Sequence, residues 1–310
     1  KPFRWNPKQE AALAILGGPA RFILGEGGSR SGKTFLICRT IALRALKAPG
    51  SRHLIGRLHF NHLKTSIWHQ TWPKMMQQCF PQIPYHLNKQ DWYIELGDGS
   101  EIWMGGFDDN ERMEKVLGNE YASIYANEGS QLKWSHIEIL TTRLAQVSEQ
   151  VFHNPDGTVK ERRPLEQRFY VDLNPPLESH WGYKLFHEKR SPEPPFDPLP
   201  DPENYAYFQI NPEDNRENLD PKYLQSIERL PARARRRFWQ GLWGSATENA
   251  LWTREQIETC RVRGYPDLQR IVIGVDPSGT KGPEEDRRTD QVGIVVVGLG
   301  IDGKAYVLED

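Results

Sequence analysis

The chain has 310 residues, enough for one large or two ordinary domains with proper cores, which excludes a disordered tail or a miniprotein. Its 40 basic and 41 acidic residues leave a net charge of -1, so a polyanion must be met by local basic patches and not by a global field. Cys38, Cys79 and Cys260 are too scattered for a disulfide framework or a zinc site, which suits a reducing intracellular setting, and no apolar run reaches the roughly 18 residues of a membrane span, so no membrane partner is expected.

In chain order, "PKQEAALAIL" has helical spacing and "RFILGEG" is a short apolar run ending in glycines, as a buried strand does. "KTFLICRTIALRAL" predicts a helix, "HLIGRL" a strand, and "NHLKTSIWHQTWPKMMQQCF" a helix capped by Asn61 and kinked or divided at Pro73. "DWYIELGDGSEIWMGG" reads as a β-hairpin about a Gly-Asp-Gly turn. The strand "YASIYA", a helix from about residue 134 to about 144 and the strand "RFYVDL" complete an alternating β/α series, which implies an α/β fold with a mainly parallel sheet.

The proline-rich stretch "RSPEPPFDPLPDPE" predicts a surface loop. After it come two short helices separated by Pro231 and another over "LWTREQIETC". "RIVIGVDPSGT", "QVGIVVVGLG" and "KAYVLED" then predict a three-stranded meander, with "IDGK" joining the second and third strands, that opens a new domain near residue 265. The chain begins with Lys and stops at "AYVLED", so a piece of a larger protein is expected.

"GGSRSGKT" matches the phosphate loop G-x-x-x-x-G-K-[ST], with Gly27, Gly32, Lys33 and Thr34 at its defining positions and Gly28, Ser29, Arg30 and Ser31 between them. Glycines let the backbone N–H groups turn inward, and the following helix offers its positive end to phosphates. Lys33 would reach the β- and γ-phosphates of ATP and the Thr34 hydroxyl would bind Mg2+. Arg30 is a candidate for stabilising charge at the γ-phosphate; Gln9, upstream on the first helix, is a candidate for reading adenine through its amide. Each also reads as an ordinary polar surface position. Arg143 is a weaker candidate for an arginine offered to a neighbouring subunit and reads more readily as a structural salt bridge.

"YASIYANEG" has the form of the strand that ends a magnesium-nucleotide site, in which the first acid holds the metal and the second activates water. Glu128 stands in the second place, but Asn127 stands in the first. An amide oxygen can accept from a metal-bound water yet brings no charge. Asn127 is therefore either a tolerated variant or a replacement that cripples turnover. In "FYVDLNPP", Asn174 falls at a strand's carboxyl end, where open α/β sheets bind ligands.

Taken in order, "GGSRSGKT", "ASIYANEG", "VDLNPPLESHWGYKLF", "NPEDNRENLDPKYLQSIERLPARARRRFWQGLWG" and "GVDPSGT" with "TDQVGIVVVG" resemble the large terminase subunit of tailed bacteriophages, over nearly the whole chain. The resemblance implies an ASCE-type P-loop ATPase (1–215), a small helical linker subdomain (216–264) and the start of an RNase H-like nuclease (265–310). It implies Gly27 to Thr34 as the phosphate loop, Glu128 as the catalytic carboxylate, beside which Lys33 and Arg30 are candidates from their place in the loop, and Asn174 as the residue coupling ATP to movement; Asn127 departs from the family's usual Asp. Asp276 resembles the nuclease's first ligand for Mg2+ or Mn2+, with Asp290 and Asp310 as weaker candidates. The remaining acids would lie on later strands, so this chain should not cut DNA.

The implied function is ATP-driven movement of double-stranded DNA into a procapsid in the host bacterial cytoplasm. The implied partners are the portal protein and the small terminase subunit, with a homo-oligomeric ring on the portal and a monomer allowed when free. Arg233, Arg235, Arg236 and Arg237 in "PARARRR" are candidates for DNA or subunit contact, or for a solvated face. Two alternatives are a helicase-like translocase, against which no tandem second ATPase core follows, and a non-hydrolysing ATP-binding scaffold if Asn127 abolishes turnover.

Overall fold

A computed structural model describes residues 5–108, 110–245, 259–276 and 293–309. The chain divides into two compact units, Lys1–Glu248 and Asn249–Asp310. The first is built on an eight-stranded sheet of β1 (Phe22–Glu26), β2 (Arg52–Arg57), β3 (Tyr85–Asn88), β4 (Tyr93–Leu96), β5 (Glu101–Gly106), β6 (Ser123–Ala126), β9 (Arg168–Leu173) and β10 (Tyr205–Gln209). A separate hairpin is formed by β7 (Glu149–His153) and β8 (Val159–Pro164). The order across the large sheet is β10-β1-β9-β6-β2-β5-β4-β3. From β10 to β5 the strands run parallel, and β4 and β3 add an antiparallel edge.

Helices cover both faces, so the central strands are apolar on consecutive residues instead of alternating with polar ones. Ile23 of β1 packs in one core with Leu36, Ile37 and Ile41 of α2 (Lys33–Lys47) and with Trp72 and Met75. Leu24, one residue on and so on the opposite face, joins Ile124, Val171, Trp181 and Phe186 in the other core. α1 (Pro7–Gly17) is held at its start by a capping box in which Asn6 and Gln9 bond each other's backbone N–H, with Pro7 in the first turn where it gives up no bond.

The helical segment after β2 is divided near Pro73, as expected, but its middle is π-helical. It consists of α3 (Phe60–Leu63), a π-helical stretch Lys64–Thr71 and α4 (Trp72–Cys79), with Pro73 in the first turn of α4. His59, not Asn61, holds the N-cap position, and it does so without a side-chain bond. The series continues with α5 (Asn110–Leu117), α6 (Trp134–Thr142), the single turn α7 (Trp181–Tyr183), α8 (Pro221–Glu228) and α9 (Ala232–Phe238). Pro231 lies between the last two, at the N-cap of α9, and Asp220 caps α8 through the amides of Lys222 and Tyr223.

In the second unit the described residues form an antiparallel meander of β11 (Leu268–Asp276), β12 (Gly293–Gly300) and β13 (Ala305–Glu309). Its second turn runs through "IDGK", with Gly303 at φ 75°. Most of the helix expected over "LWTREQIETC", together with Asp290 and Asp310, lies outside the described residues.

Candidate nucleotide site

β9 is inserted between β1 and β6. Three parallel strands therefore end side by side at the carboxyl edge, where such sheets bind ligands. β1 delivers the phosphate loop, β6 delivers Asn127 and Glu128, and β9 delivers Asp172 and Asn174. The register pairs Gly25 with Asp172 and Ala126 with Val171, so Asp172 falls beside the backbone that continues from Ala126 into Asn127.

The loop Gly27–Thr34 leads from β1 into α2 with Gly27 at φ 132° and Gly32 at φ 97°, both in the region that favours glycine. Lys33 is buried, and its ammonium donates to the carbonyls of Gly27 (3.0 Å) and Gly28 (2.7 Å), to Ser31 Oγ (3.1 Å) and to Asn174 Oδ1 (3.3 Å). Burial lowers its pKa to about 8, against the opposing pull of Asp172, Glu128 and Glu26.

Glu128 has φ 56° and ψ 52°, a left-handed conformation that is uncommon for a residue with a Cβ. Its backbone N–H donates to Asp172 Oδ1 at 2.8 Å. Gly129 follows because a Cβ there would meet Val171 Cγ1 at 2.5 Å. Burial, and then the charge of Asp172, push the Glu128 carboxyl up, while Arg57, Lys33 and Arg237 pull it down. A carboxylate moved toward neutrality is a better acceptor for a proton from water.

Asn127 is buried, and its Nδ2 donates to Asp172 Oδ1 (2.9 Å) and to the Tyr125 hydroxyl (3.1 Å), while its Oδ1 receives no hydrogen bond. Asp172, equally buried, accepts a hydrogen bond from Thr34 Oγ1 at 2.7 Å. Thr34, Asn127 and Asp172 together form a set of oxygens of the kind magnesium takes.

Residues beyond the proline-rich stretch hold the outer side of the loop. Asn211 Oδ1 accepts from the Gly28 amide (2.9 Å), the Phe238 carbonyl accepts from the Ser29 amide (2.8 Å), and Asn215 Nδ2 donates to the Arg30 carbonyl (2.9 Å). A Cβ on Gly28 would meet the Phe238 carbonyl oxygen at 2.4 Å, so glycine permits this approach. At the end of β1, Glu26 Oε2 accepts from Trp243 Nε1 (2.8 Å) and meets His187 Nε2 (2.9 Å), which ties "GLWG" to the strand feeding the loop.

Of the other candidates, Arg30 is exposed, with its guanidinium over the Tyr223 ring of α8, 5.5 Å from the centroid. Gln9 lies beside Gly32, its Nε2 3.5 Å from where a Cβ would stand, but its Oε1 is taken by the Asn6 amide. Arg143 caps the end of α6 and donates to the Leu117 carbonyl (3.1 Å). In the arginine cluster Arg233 and Arg235 are exposed, whereas Arg236 and Arg237 are half-buried and the Arg237 charge acts on Glu128. Asp276 ends β11, exposed, and no group of three or more His, Cys, Asp or Glu side chains placed to hold a metal ion occurs among the described residues.

Sequence reasoning misses Asp172, Glu26 and Arg57. The signal for the first two is a charged residue inside an otherwise apolar strand, since a buried charge is costly unless it has a task or a partner. Arg57, at the carboxyl end of β2, has a buried Nε without an acceptor and gave no signal beyond its place after "HLIG".

A phosphate loop followed by a helix, with β9 inserted between the loop strand β1 and the strand β6 that ends at Asn127 and Glu128, defines a P-loop ATPase of ASCE type. Residues 20–240 match the family described as phage terminase large subunit, and the chain belongs to that family, the ATP-driven motors of phage DNA packaging. The fold is similar to that of the large terminase from a thermophilic bacteriophage, with a TM-score of 0.60 at 14% identity, covering 99% of this chain and 69% of that one. It is also similar to the large terminase ATPase domain of Thermus phage P74-26 (TM-score 0.52, 14% identity, 77% of this chain and 95% of that one). The large terminase of bacteriophage HK97 gives a TM-score of 0.50 at 14% identity, over 99% and 63% of the two chains. The first of these three proteins is known in complex with ADP and with ATP-gamma-S. Among curated proteins none matches.

Proposed function

We propose that the chain binds ATP with Mg2+ at Gly27–Thr34 and hydrolyses it with Glu128 as the base that activates water, as the engine of DNA translocation. The observation that carries this reading is the meeting of Lys33, Asn174, Asp172 and Glu128 at the mouth of one phosphate loop. On binding, the Lys33 ammonium exchanges its loop carbonyls for phosphate oxygens, and Thr34, with the oxygens beside it, would hold the cation. The cation, when bound, supplies charge neutralisation at the phosphates. Glu128, fixed in its left-handed turn by Asp172, accepts the proton of the attacking water. Asn174 contacts Lys33 directly and is the residue proposed to sense whether that ammonium is bonded to the protein or to phosphate.

The helices that follow Asn211 grip the loop at Gly28, Ser29 and Arg30, which supports a second route by which loop movement reaches α8 and α9. Arg233 and Arg235, exposed on α9, are the residues proposed for DNA or a neighbouring subunit. The division into ATPase (1–215), linker (216–264) and opening nuclease strands (265–310) belongs to the same proposal, with Asp276 as that nuclease's first ligand. So do double-stranded DNA, the portal protein and small terminase subunit, assembly as a ring on the portal, and action in the host cytoplasm.

The test is ATP hydrolysis by the chain with Mg2+, in the presence and absence of double-stranded DNA. Metal-dependent turnover raised by DNA is expected. ATP bound without turnover under either condition would establish the scaffold reading instead, and unwinding of a duplex would establish the helicase reading.

A further inference from the structure

We propose that the negative charge missing from Asn127 has been moved one strand sideways, so that Asp172 of β9 is the carboxylate that serves the magnesium position of this site. The inference rests on the nucleotide-binding reading above and adds a residue to it. β6 and β9 are adjacent and parallel, and Ala126 pairs with Val171, so Asn127 and Asp172 are lateral neighbours about 4.8 Å apart along the hydrogen-bonding direction. Exchanging an acid and an amide between such neighbours keeps the same inventory of one charge and one amide within a single strand spacing.

The hydrogen bonds carry the assignment further. Asp172 Oδ2 is bonded to Thr34 Oγ1 (2.7 Å), the hydroxyl that a phosphate loop presents to its metal, while Oδ1 takes Asn127 Nδ2 (2.9 Å) and the Glu128 amide (2.8 Å). All three donors are neutral. Lys33 acts on the carboxylate only through space, its ammonium being bonded to loop carbonyls, Ser31 and Asn174. A buried carboxylate whose hydrogen-bond donors are all neutral, with the Lys33 ammonium acting on it only through space, keeps charge to offer a cation, and a buried charge is costly unless it is paired or holds a metal. Because Asn127 turns its nitrogen to Asp172, its oxygen is left buried and without a donor, the group needed to accept from a metal-bound water. Charge from Asp172 and an acceptor oxygen from Asn127 thus share the work that one aspartate on β6 would do.

The experiment measures Mn2+ affinity by electron paramagnetic resonance with saturating ATP, and ATP affinity in EDTA, for four full chains: wild type, Asp172→Asn, Asn127→Asp and the exchange Asn127→Asp/Asp172→Asn. Thermal melts report folding. Asp172→Asn is expected to weaken Mn2+ by about tenfold or more, with ATP binding in EDTA unchanged or tighter because a negative charge near the phosphates has gone. The exchange is expected to return Mn2+ affinity close to wild type. Wild-type Mn2+ affinity in Asp172→Asn, or an exchange no better than the single variant, would overturn the inference. A loss of ATP binding in EDTA together with Mn2+ would also overturn it, by assigning Asp172 a purely structural role. If Asp172→Asn melts early, the exchange, which conserves both groups, decides. Failure of the wild type to bind ATP at all would instead remove the nucleotide-site reading.

Discussion

Asp172 Oδ2 accepts a hydrogen bond from Thr34 Oγ1 at 2.7 Å, across the boundary between β9 and the start of α2. This bond joins the two walls of the nucleotide site, and Asp172 Oδ1 fixes the Glu128 amide at the same time. Glu128, the proposed base, is therefore oriented by a neighbouring strand and not only by its own turn.

The Glu128 carboxyl is pushed up from its ordinary value of 4.5 by burial and by Asp172. A general base works only when deprotonated, so kcat should rise with pH along an acidic limb that lies above the usual carboxylate range. Arg57 pulls the carboxyl down, so Arg57→Gln should move that limb to higher pH. The pH profile of kcat for the two proteins checks this; a limb at the same pH in both would remove Arg57 from the account.

Burial holds Lys33 at about 8, against 10.5 for a free lysine. A bound triphosphate favours the charged form, so above pH 8 binding takes up a proton and affinity should fall by up to about tenfold per pH unit. Calorimetry in buffers of different ionisation enthalpy reads the proton directly. For folding the sign is opposite: the unfolded chain holds more protons between about 8 and 10.5, so the unfavourable contribution of Lys33 fades as pH rises through that window.

Asn211→Ala removes the acceptor of the Gly28 amide and loosens one of the bonds that tie the loop to the helices after it. An unmet buried amide costs about 1–3 kcal/mol. ATP should still bind, while the stimulation of turnover by DNA should fall more than basal turnover. Steady-state ATPase with and without DNA separates the two rates.

Trp243→Phe keeps an aromatic ring but removes the N–H that donates to Glu26, leaving that buried carboxylate with His187. The loss should be about 1–3 kcal/mol, and for a unit of this size about 2–4 °C of melting temperature per kcal/mol. Thermal unfolding followed by circular dichroism measures it.

Much of the parallel core was legible because its strands are buried on both faces and bounded by turn residues, as in "RFILGEG", "HLIGRL" and "RFYVDL". β10 was not, since "YAYFQ" follows the proline-rich stretch and acquires its role only by pairing with β1, far away in sequence. The β7–β8 hairpin carries "VKERRP", an exposed, charged strand with no apolar alternation to betray it. β3 is short and half-buried, so its pattern is equally weak.

The spacing of "GGSRSGKT" and "YASIYANEG" placed Gly27–Thr34 between a strand and a helix and Glu128 at a strand's end, and the loop leads from β1 into α2 while Glu128 follows β6. Asp172 could not be given its place until the strand order was known, because its relevance comes from β9 lying between β1 and β6. The same holds for the grip of Asn211, Asn215 and Phe238 on the loop, which joins segments widely separated in the chain. For Arg30 the sequence left open a reach toward phosphate or a solvent-facing position, and its guanidinium lies over the Tyr223 ring.

The most direct test of the account is single-turnover hydrolysis of ATP by the chain and by Glu128→Gln, with equilibrium ATP binding measured on both. Glu128→Gln should bind ATP with Mg2+ as the wild type does while the hydrolysis rate falls by about 100-fold or more. Hydrolysis at the wild-type rate in Glu128→Gln would contradict it.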